Sequence, residues 1–185
     1  AGGELPRDRG EQFGRVFVTL LALDAGADLA LVQLGTRKKP YPFIGIASHN
    51  PQPGQSISLI GAPIFRHGVL LHGVVARVQS TYEYLPEVAD YVEIIHVAGS
   101  SPPGTSGGAW VNDKGEIVGI QSGLMHENNA PVGIAYMATR TAVESLVRTR
   151  RSANTPTLSV GIEEIWEQPA DYIERFKPGQ EGLVL

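Results

Sequence analysis

The chemistry in this chain concentrates in one short glycine-rich segment, Gly104-Thr105-Ser106-Gly107-Gly108. An isolated serine hydroxyl is a weak nucleophile at neutral pH. It needs a base to take its proton and donors placed where an oxyanion will form. A glycine two positions ahead of Ser106 lets the backbone turn so that the N–H groups of Gly104 and Ser106 face one hole. Gly107 and Gly108 leave room for chain and substrate to approach closely. The chemistry implied is acyl transfer through Ser106. A surface turn with an inert serine has the same composition, so the elements around the segment decide.

Residues 104–108 also satisfy G-x-S-x-G, the nucleophile elbow of α/β-hydrolases, which requires a helix straight after the serine. Residues 109–121 instead read as a hairpin, two apolar runs flanking Asp113-Lys114-Gly115. The elbow reading therefore fails on local structure. Strands are also expected over residues 12–23, 28–34, 43–47, 56–60, 69–79, 91–97 and 134–137. Gly73 is read as a bulge within the fifth of these. Turn signals punctuate them: Asp24-Ala25-Gly26-Ala27, residues 49–54 (HNPQPG) and Gly61-Ala62-Pro63. Many short strands separated by Gly and Pro indicate an all-β sandwich or barrel. One helix follows, with Thr141-Ala142-Val143-Glu144 as a capping box, apolar Val143, Leu146 and Val147, and Arg148, Arg150 and Arg151 at its C-terminal end. Residues 152–156 read as a linker. Residues 157–185 then open a second unit of strand, polar helix (169–176) and strand, too short to bury a core alone.

Composition bounds the rest. Of 185 residues, 42% are hydrophobic and 18% charged, which suits a folded, core-forming chain. The net charge of -4 and the lack of a basic run argue against nucleic acid as a partner. No apolar run is long enough to span a bilayer. Cysteine is absent, which excludes disulfides and thiolate metal sites. His49, His67, His72, His96 and His126 show no metal-ligand spacing, and no cofactor motif appears. His96 lies among apolar strand residues and reads as a core or pocket-wall residue. His126 lies in the polar stretch MHENNAP.

The run GTSGGAWVNDKGEIVGIQSG resembles the nucleophile loop and following hairpin of trypsin-like serine proteases of the HtrA type. ALDAGADLALVQL, PQPGQSISLIGAPI and VGIAYMATRTAVESLV resemble further segments of that family, in the same order. TLSVGIEEI followed by GLVL resembles the opening of the PDZ domain that often follows. The resemblance implies a chymotrypsin-like double β-barrel whose first barrel is incomplete, a C-terminal helix, and the start of an α+β PDZ-like unit. The domain limits would be 1–151, 152–156 and 157–185.

The same resemblance places Asp28 as the triad acid, with Gly104 and Ser106 forming the oxyanion hole. Ser122, Gly123 and Leu124 become the edge that pairs with an extended substrate, and Ser100 the pocket floor. Val160, Gly161 and Ile162 become the PDZ peptide-binding loop. No acid stands at Ser100, so a small or medium apolar side chain is expected in the primary pocket rather than a basic one. Thr105 replaces the aspartate of activatable zymogens, so activation by N-terminal insertion is not expected. The activity implied is cleavage of unfolded or extended polypeptide in protein quality control. A homotrimer in a bacterial periplasm or cell envelope is implied with it.

In this family the triad histidine precedes the aspartate, yet every histidine here follows Asp28. Two expectations stay open. In one, the chain is part of a longer protein that carries the histidine upstream, and by itself is nearly inert. In the other, it is a protease-like scaffold that binds peptides without cleaving them.

Overall fold

The computed structural model describes residues 18–77, 79–85, 90–128, 130–153, 163–165 and 168–184. Two compact units divide between Asn154 and Thr155. In the larger, strands β1 (Val18–Asp24) and β2 (Leu29–Leu34) form an antiparallel hairpin. A single 3-10 turn, Ala25–Ala27, joins them. Then follow β3 (Ser56–Gly61), β4 (Val69–Val75), β5 (Thr81–Leu85), β6 (Asp90–Gly99), β7 (Ala109–Val111), β8 (Ile117–Glu127) and β9 (Ala130–Thr139). Helix α1 spans Arg140–Thr149.

Strands β3 to β9 make one antiparallel sheet in the order β4-β3-β7-β8-β9-β6-β5. A further pairing of β4 with β6 closes six of them into a barrel, with β5 hanging on the outer edge of β6. Closure removes the sheet edges that an open array would expose. This is the closed barrel that the resemblance implies. Among the described residues the first barrel contributes the β1–β2 hairpin.

The barrel is filled by Ile57, Leu59, Val75, Val97, Trp110, Val118 and Met137, all essentially buried. Alternation along each strand sends these side chains inward. Trp110 has no solvent exposure, and its Nε1–H donates to Gln121 Oε1 at 2.9 Å. Gly73 is not the expected bulge. It sits in regular register with Ile57 and with Gly99. A Cβ there would stand 2.7 Å from Val97 and 2.9 Å from the Trp110 ring, so its role is to admit the indole.

Other expectations shift. Residues 43–47 form no strand; Ile46 makes a single parallel bridge to Ile117, and Phe43 is exposed. The helix begins earlier than the Thr141 capping box. Thr139 is the N-cap, its Oγ1 accepting from Ala142 N at 3.1 Å, while Glu144 pairs instead with Arg140 at 2.9 Å. Strand β5 lies outside the strands expected from the sequence.

Helix α1 buries Val143 and Leu146 and packs on β1, β8 and β9. The chain beyond it returns to β1. Leu23 N donates to Ser152 Oγ at 3.0 Å, and Ala153 N donates to the Leu23 carbonyl at 2.8 Å. These contacts hold the end of β1, and so the turn that carries residue 28.

The smaller unit pairs β10 (Glu163–Glu164) with β11 (Leu183–Val184) in antiparallel register. A short helix, α2 (Ala170–Ile173), begins after Pro169, inside the stretch expected to be helical. Ile165 is buried. Val160, Gly161 and Ile162 lie outside the described residues.

Candidate active site

The loop leading into β7 is built around its glycines. Gly104 has φ +94°, and a Cβ on it would stand 2.7 Å from the Ala62 carbonyl oxygen and 3.1 Å from Ile64 N. A Cβ on Gly108 would meet the Ile60 and Thr105 carbonyls at 2.6 and 2.7 Å. Backbone packs against backbone at both places, so no larger residue fits.

Three N–H groups of the loop find backbone carbonyls. Thr105 N donates to the Pro102 carbonyl (3.2 Å), Gly107 N to that of Gln121 (2.8 Å) and Gly108 N to that of Thr105 (2.8 Å). The N–H groups of Gly104 and Ser106 donate to no described residue. Ile64 N binds the Pro103 carbonyl at 2.9 Å, which fixes the peptide plane ahead of Gly104. Thr105 points inward and is buried, its hydroxyl joined to Ser101 Oγ (2.9 Å) and the Pro102 carbonyl (2.8 Å). Ser106, next in the chain, is exposed. A strand, not a helix, follows this loop, so the nucleophile-elbow geometry is absent.

Asp28 closes the 3-10 turn after β1 in the left-handed region, φ 50° and ψ 48°. Aspartate tolerates this conformation better than most residues. Its Oδ2 accepts the Ser122 hydroxyl at 2.6 Å, a short charge-assisted bond. The carbonyl oxygen of the same Ser122 accepts the Ser106 hydroxyl at 3.0 Å. One residue of β8 thus ties the hairpin turn and the glycine-rich loop of residues 104–108 together.

Strand β8 departs from its ladder at this point. Gln121 pairs with Met137 and Leu124 with Ala135, leaving Ser122 and Gly123 out of register. Gln121 stabilises the departure, receiving Trp110 Nε1–H and donating Nε2–H to the Gly123 carbonyl at 2.7 Å.

Part of this set lines one cleft of about 1000 Å³, and Gly104 is not among its lining residues. The cleft brings together Asp28, Ser106, Ser122, Gly123 and Leu124. Ser100 is exposed and is not among the lining residues; Ser101 lines the cleft instead. Four histidines bond elsewhere: His49 to Ser48, His72 to Ser58, His96 to Glu83 and His126 to the Leu124 carbonyl. No cluster of His, Cys, Asp or Glu suited to a metal ion occurs among the described residues.

One group in the cleft escaped the sequence reading. Glu83, on β5, accepts His96 Nε2 at 3.0 Å and the Tyr136 hydroxyl at 3.4 Å. Burial, then the charge of Glu83 and the bond to it, push the Tyr136 phenol up to about 12. The alternation of Thr81-Tyr82-Glu83-Tyr84-Leu85 was the available signal for this strand.

Residues 7–120, more than half of the chain, match the family model of the trypsin-like peptidase domain. A probable periplasmic serine endoprotease DegP-like from Chlamydia pneumoniae is 25% identical over 132 residues, covering 71% of this chain and 25% of that protein. The like-named protein of Pseudomonas fulva is 28% identical over 163 residues, 86% of this chain and 33% of the relative. That of Marinomonas sp. is 31% identical over 117 residues, 63% and 24% respectively. The chain therefore spans 24% to 33% of the length of these relatives. Among solved structures, the active form of the Rv3671c protease from M. tuberculosis superposes with a TM-score of 0.59 at 16% identity. The match covers 77% of this chain and 61% of that one, and is a likeness of fold.

Proposed function

Because the chain belongs to the trypsin-like peptidase domain family, with relatives of the HtrA/DegP type, we propose that the protein is a serine endopeptidase acting through an acyl-enzyme on Ser106. The observation that carries this reading is the double use of Ser122, whose hydroxyl holds Asp28 and whose carbonyl holds Ser106. The unpartnered N–H groups of Gly104 and Ser106 support it.

The Ser106 hydroxyl attacks a peptide carbonyl, and an imidazole takes its proton. Asp28 accepts the other imidazole N–H, sets its tautomer and stabilises the imidazolium. The carbonyl oxygen becomes an oxyanion between the N–H groups of Gly104 and Ser106. Collapse breaks the C–N bond, and the imidazolium returns its proton to the leaving amine. Water then attacks the ester with the same imidazole as base, releasing the acid and restoring Ser106.

The out-of-register stretch at Ser122 and Gly123 suits an extended backbone, which favours unfolded polypeptide as substrate. In the family the imidazole comes from a segment ahead of the triad aspartate, and residues 1–27 of this sequence carry no histidine. Without it, turnover falls on the order of a million-fold, and the chain alone is nearly inert. Residues 157–185 begin a PDZ-like unit, and the periplasmic relatives favour an envelope location.

A second reading, a peptide-binding scaffold without catalysis, draws on the bonds of His49, His72, His96 and His126 to groups other than Ser106 and Asp28. Cleavage of a reduced, unfolded reporter by the protein made from its whole reading frame separates the two. The protease reading requires cleavage that Ser106→Ala abolishes. Peptide binding unchanged by that substitution, with no cleavage by either form, leaves only the scaffold.

A further inference from the structure

The cleft holds a second polar centre on the strand that hangs outside the barrel. Strand β5 pairs with β6 and carries Glu83 toward Tyr136 of β9 and His96 of β6. Glu83 lines the same cleft as Ser106, and its side chain is 30% exposed.

Three observations define what would bind there. First, among the described residues the lining includes two carboxylates, Asp28 and Glu83, and neither lysine nor arginine. The field of the cleft therefore favours cations. Second, Glu83 is not saturated. An ionised carboxylate offers about four acceptor positions. One takes the His96 Nε2–H and one a long bond from the Tyr136 hydroxyl. Asp28, by contrast, is engaged by Ser122 and reserved for the catalytic imidazole. Third, the lining of the cleft also includes apolar Leu85, Leu124 and Met125, and Leu85 and Met125 pack with Tyr136, whose hydroxyl reaches Glu83. A carboxylate in a cleft that also presents apolar surface fits a side chain with an aliphatic stem and a cationic head.

We propose that Glu83 is a specificity-determining residue that anchors a lysine or arginine side chain of the bound polypeptide. The inference rests on the reading of this cleft as the substrate cleft, and it departs from the apolar preference that Ser100 implied. Positioning comes from the barrel: His96 and Tyr136 each hold one oxygen of Glu83, so the carboxylate is oriented before substrate arrives.

The test measures binding, which needs no catalysis. The Ser106→Ala protein is titrated with fluorescent peptides that differ at one position: lysine against norleucine, arginine against citrulline. Each pair keeps the stem and removes the charge. The cationic members bind at least about tenfold more tightly, as one charge-assisted hydrogen bond in a partly desolvated site would give. Glu83→Gln reduces the preference to within about twofold, whereas Tyr136→Phe, which keeps the carboxylate, retains it. If Glu83→Gln fails to fold, the Ser106→Ala protein itself decides. The preference then shrinks with added salt, and the Tyr136 ring resonances move with lysine peptides but not with norleucine ones. Equal affinity within each pair overturns the proposal. If the whole protein still cleaves unfolded polypeptide, the protease reading survives that result. Failure of every peptide to bind, together with absence of cleavage, overturns both.

Discussion

Two glycines of the nucleophile loop have positive φ but differ in their surroundings, and the difference can be measured. Gly104 (φ +94°) and Gly107 (φ +79°) would both strain an alanine. That shared backbone penalty is about 1–2 kcal/mol. A Cβ on Gly107 meets nothing within 4 Å, whereas on Gly104 it stands 2.7 Å from the Ala62 carbonyl oxygen. That oxygen belongs to backbone and must move by roughly half an ångström, which adds about 1–3 kcal/mol by analogy with overpacked cores. Gly107→Ala is therefore expected to cost about 1–2 kcal/mol in urea denaturation, and Gly104→Ala about 2–5 kcal/mol. Displacing residue 104 also moves one of the two N–H groups proposed to hold the oxyanion, so acylation by the whole protein is expected to slow by about 10²–10³-fold. Equal costs for the two variants, or a Gly104→Ala protein with unimpaired acylation, would refute the assignment of Gly104 as a backbone donor packed on Ala62.

Further expectations follow from the same geometry. Tyr136 ionises near 12 because of burial and then Glu83. Glu83→Gln lowers that value part of the way toward 10, as ultraviolet titration would show, and an unchanged value would contradict the contact. The folded state keeps the phenolic proton to higher pH than the unfolded chain. Stability attributable to Tyr136 is therefore present below about pH 10 and declines as pH rises toward 12, by about 3 kcal/mol. A Tyr136→Phe protein should lack that component in paired alkaline denaturation curves. Gln121→Leu leaves the buried Trp110 Nε1–H without its partner and frees the Gly123 carbonyl; a loss of about 1–3 kcal/mol in denaturant is expected. Thr139→Ala removes the N-cap of α1 and costs about 1 kcal/mol, while Thr141→Ala costs less, and the reverse order in thermal melts would restore the Thr141 capping box.

The barrel was legible where alternation and turn chemistry agreed. Residues 56–60 and 91–97 read as strands because their apolar residues alternate between Gly- and Pro-rich breaks. The 109–121 hairpin read correctly because Asn112 and Gly115 supply the turn: Asn112 Oδ1 accepts from Lys114 N and Glu116 N, and Gly115 takes φ +74°. Residues 43–47 are apolar enough to read as a strand, but their pairing is limited to a single bridge at Ile117, through Ala47 N to the Ile117 carbonyl and Ile117 N to the Gly45 carbonyl. Gly73 misled because a glycine inside a strand signals either a bulge or a close approach, and only the position of Trp110 chooses between them. The glycines of residues 104–108 carried the site's shape in their sequence. The second role of Ser122, the hydroxyl that reaches a residue 94 positions away, arises from folding and has no local signature. The same holds for Glu83, whose partners on β6 and β9 stand 13 and 53 residues distant.

The coupling of Asp28 to Ser106 through one cleft is tested most directly by the rate at which a fluorophosphonate labels Ser106 in the protein made from its whole reading frame. A single adduct on Ser106 is predicted, absent in Ser106→Ala, and slowed about 10⁴-fold by Asp28→Asn, which leaves the imidazole in the wrong tautomer. An adduct on another residue, or a labelling rate indifferent to Asp28, would contradict the account.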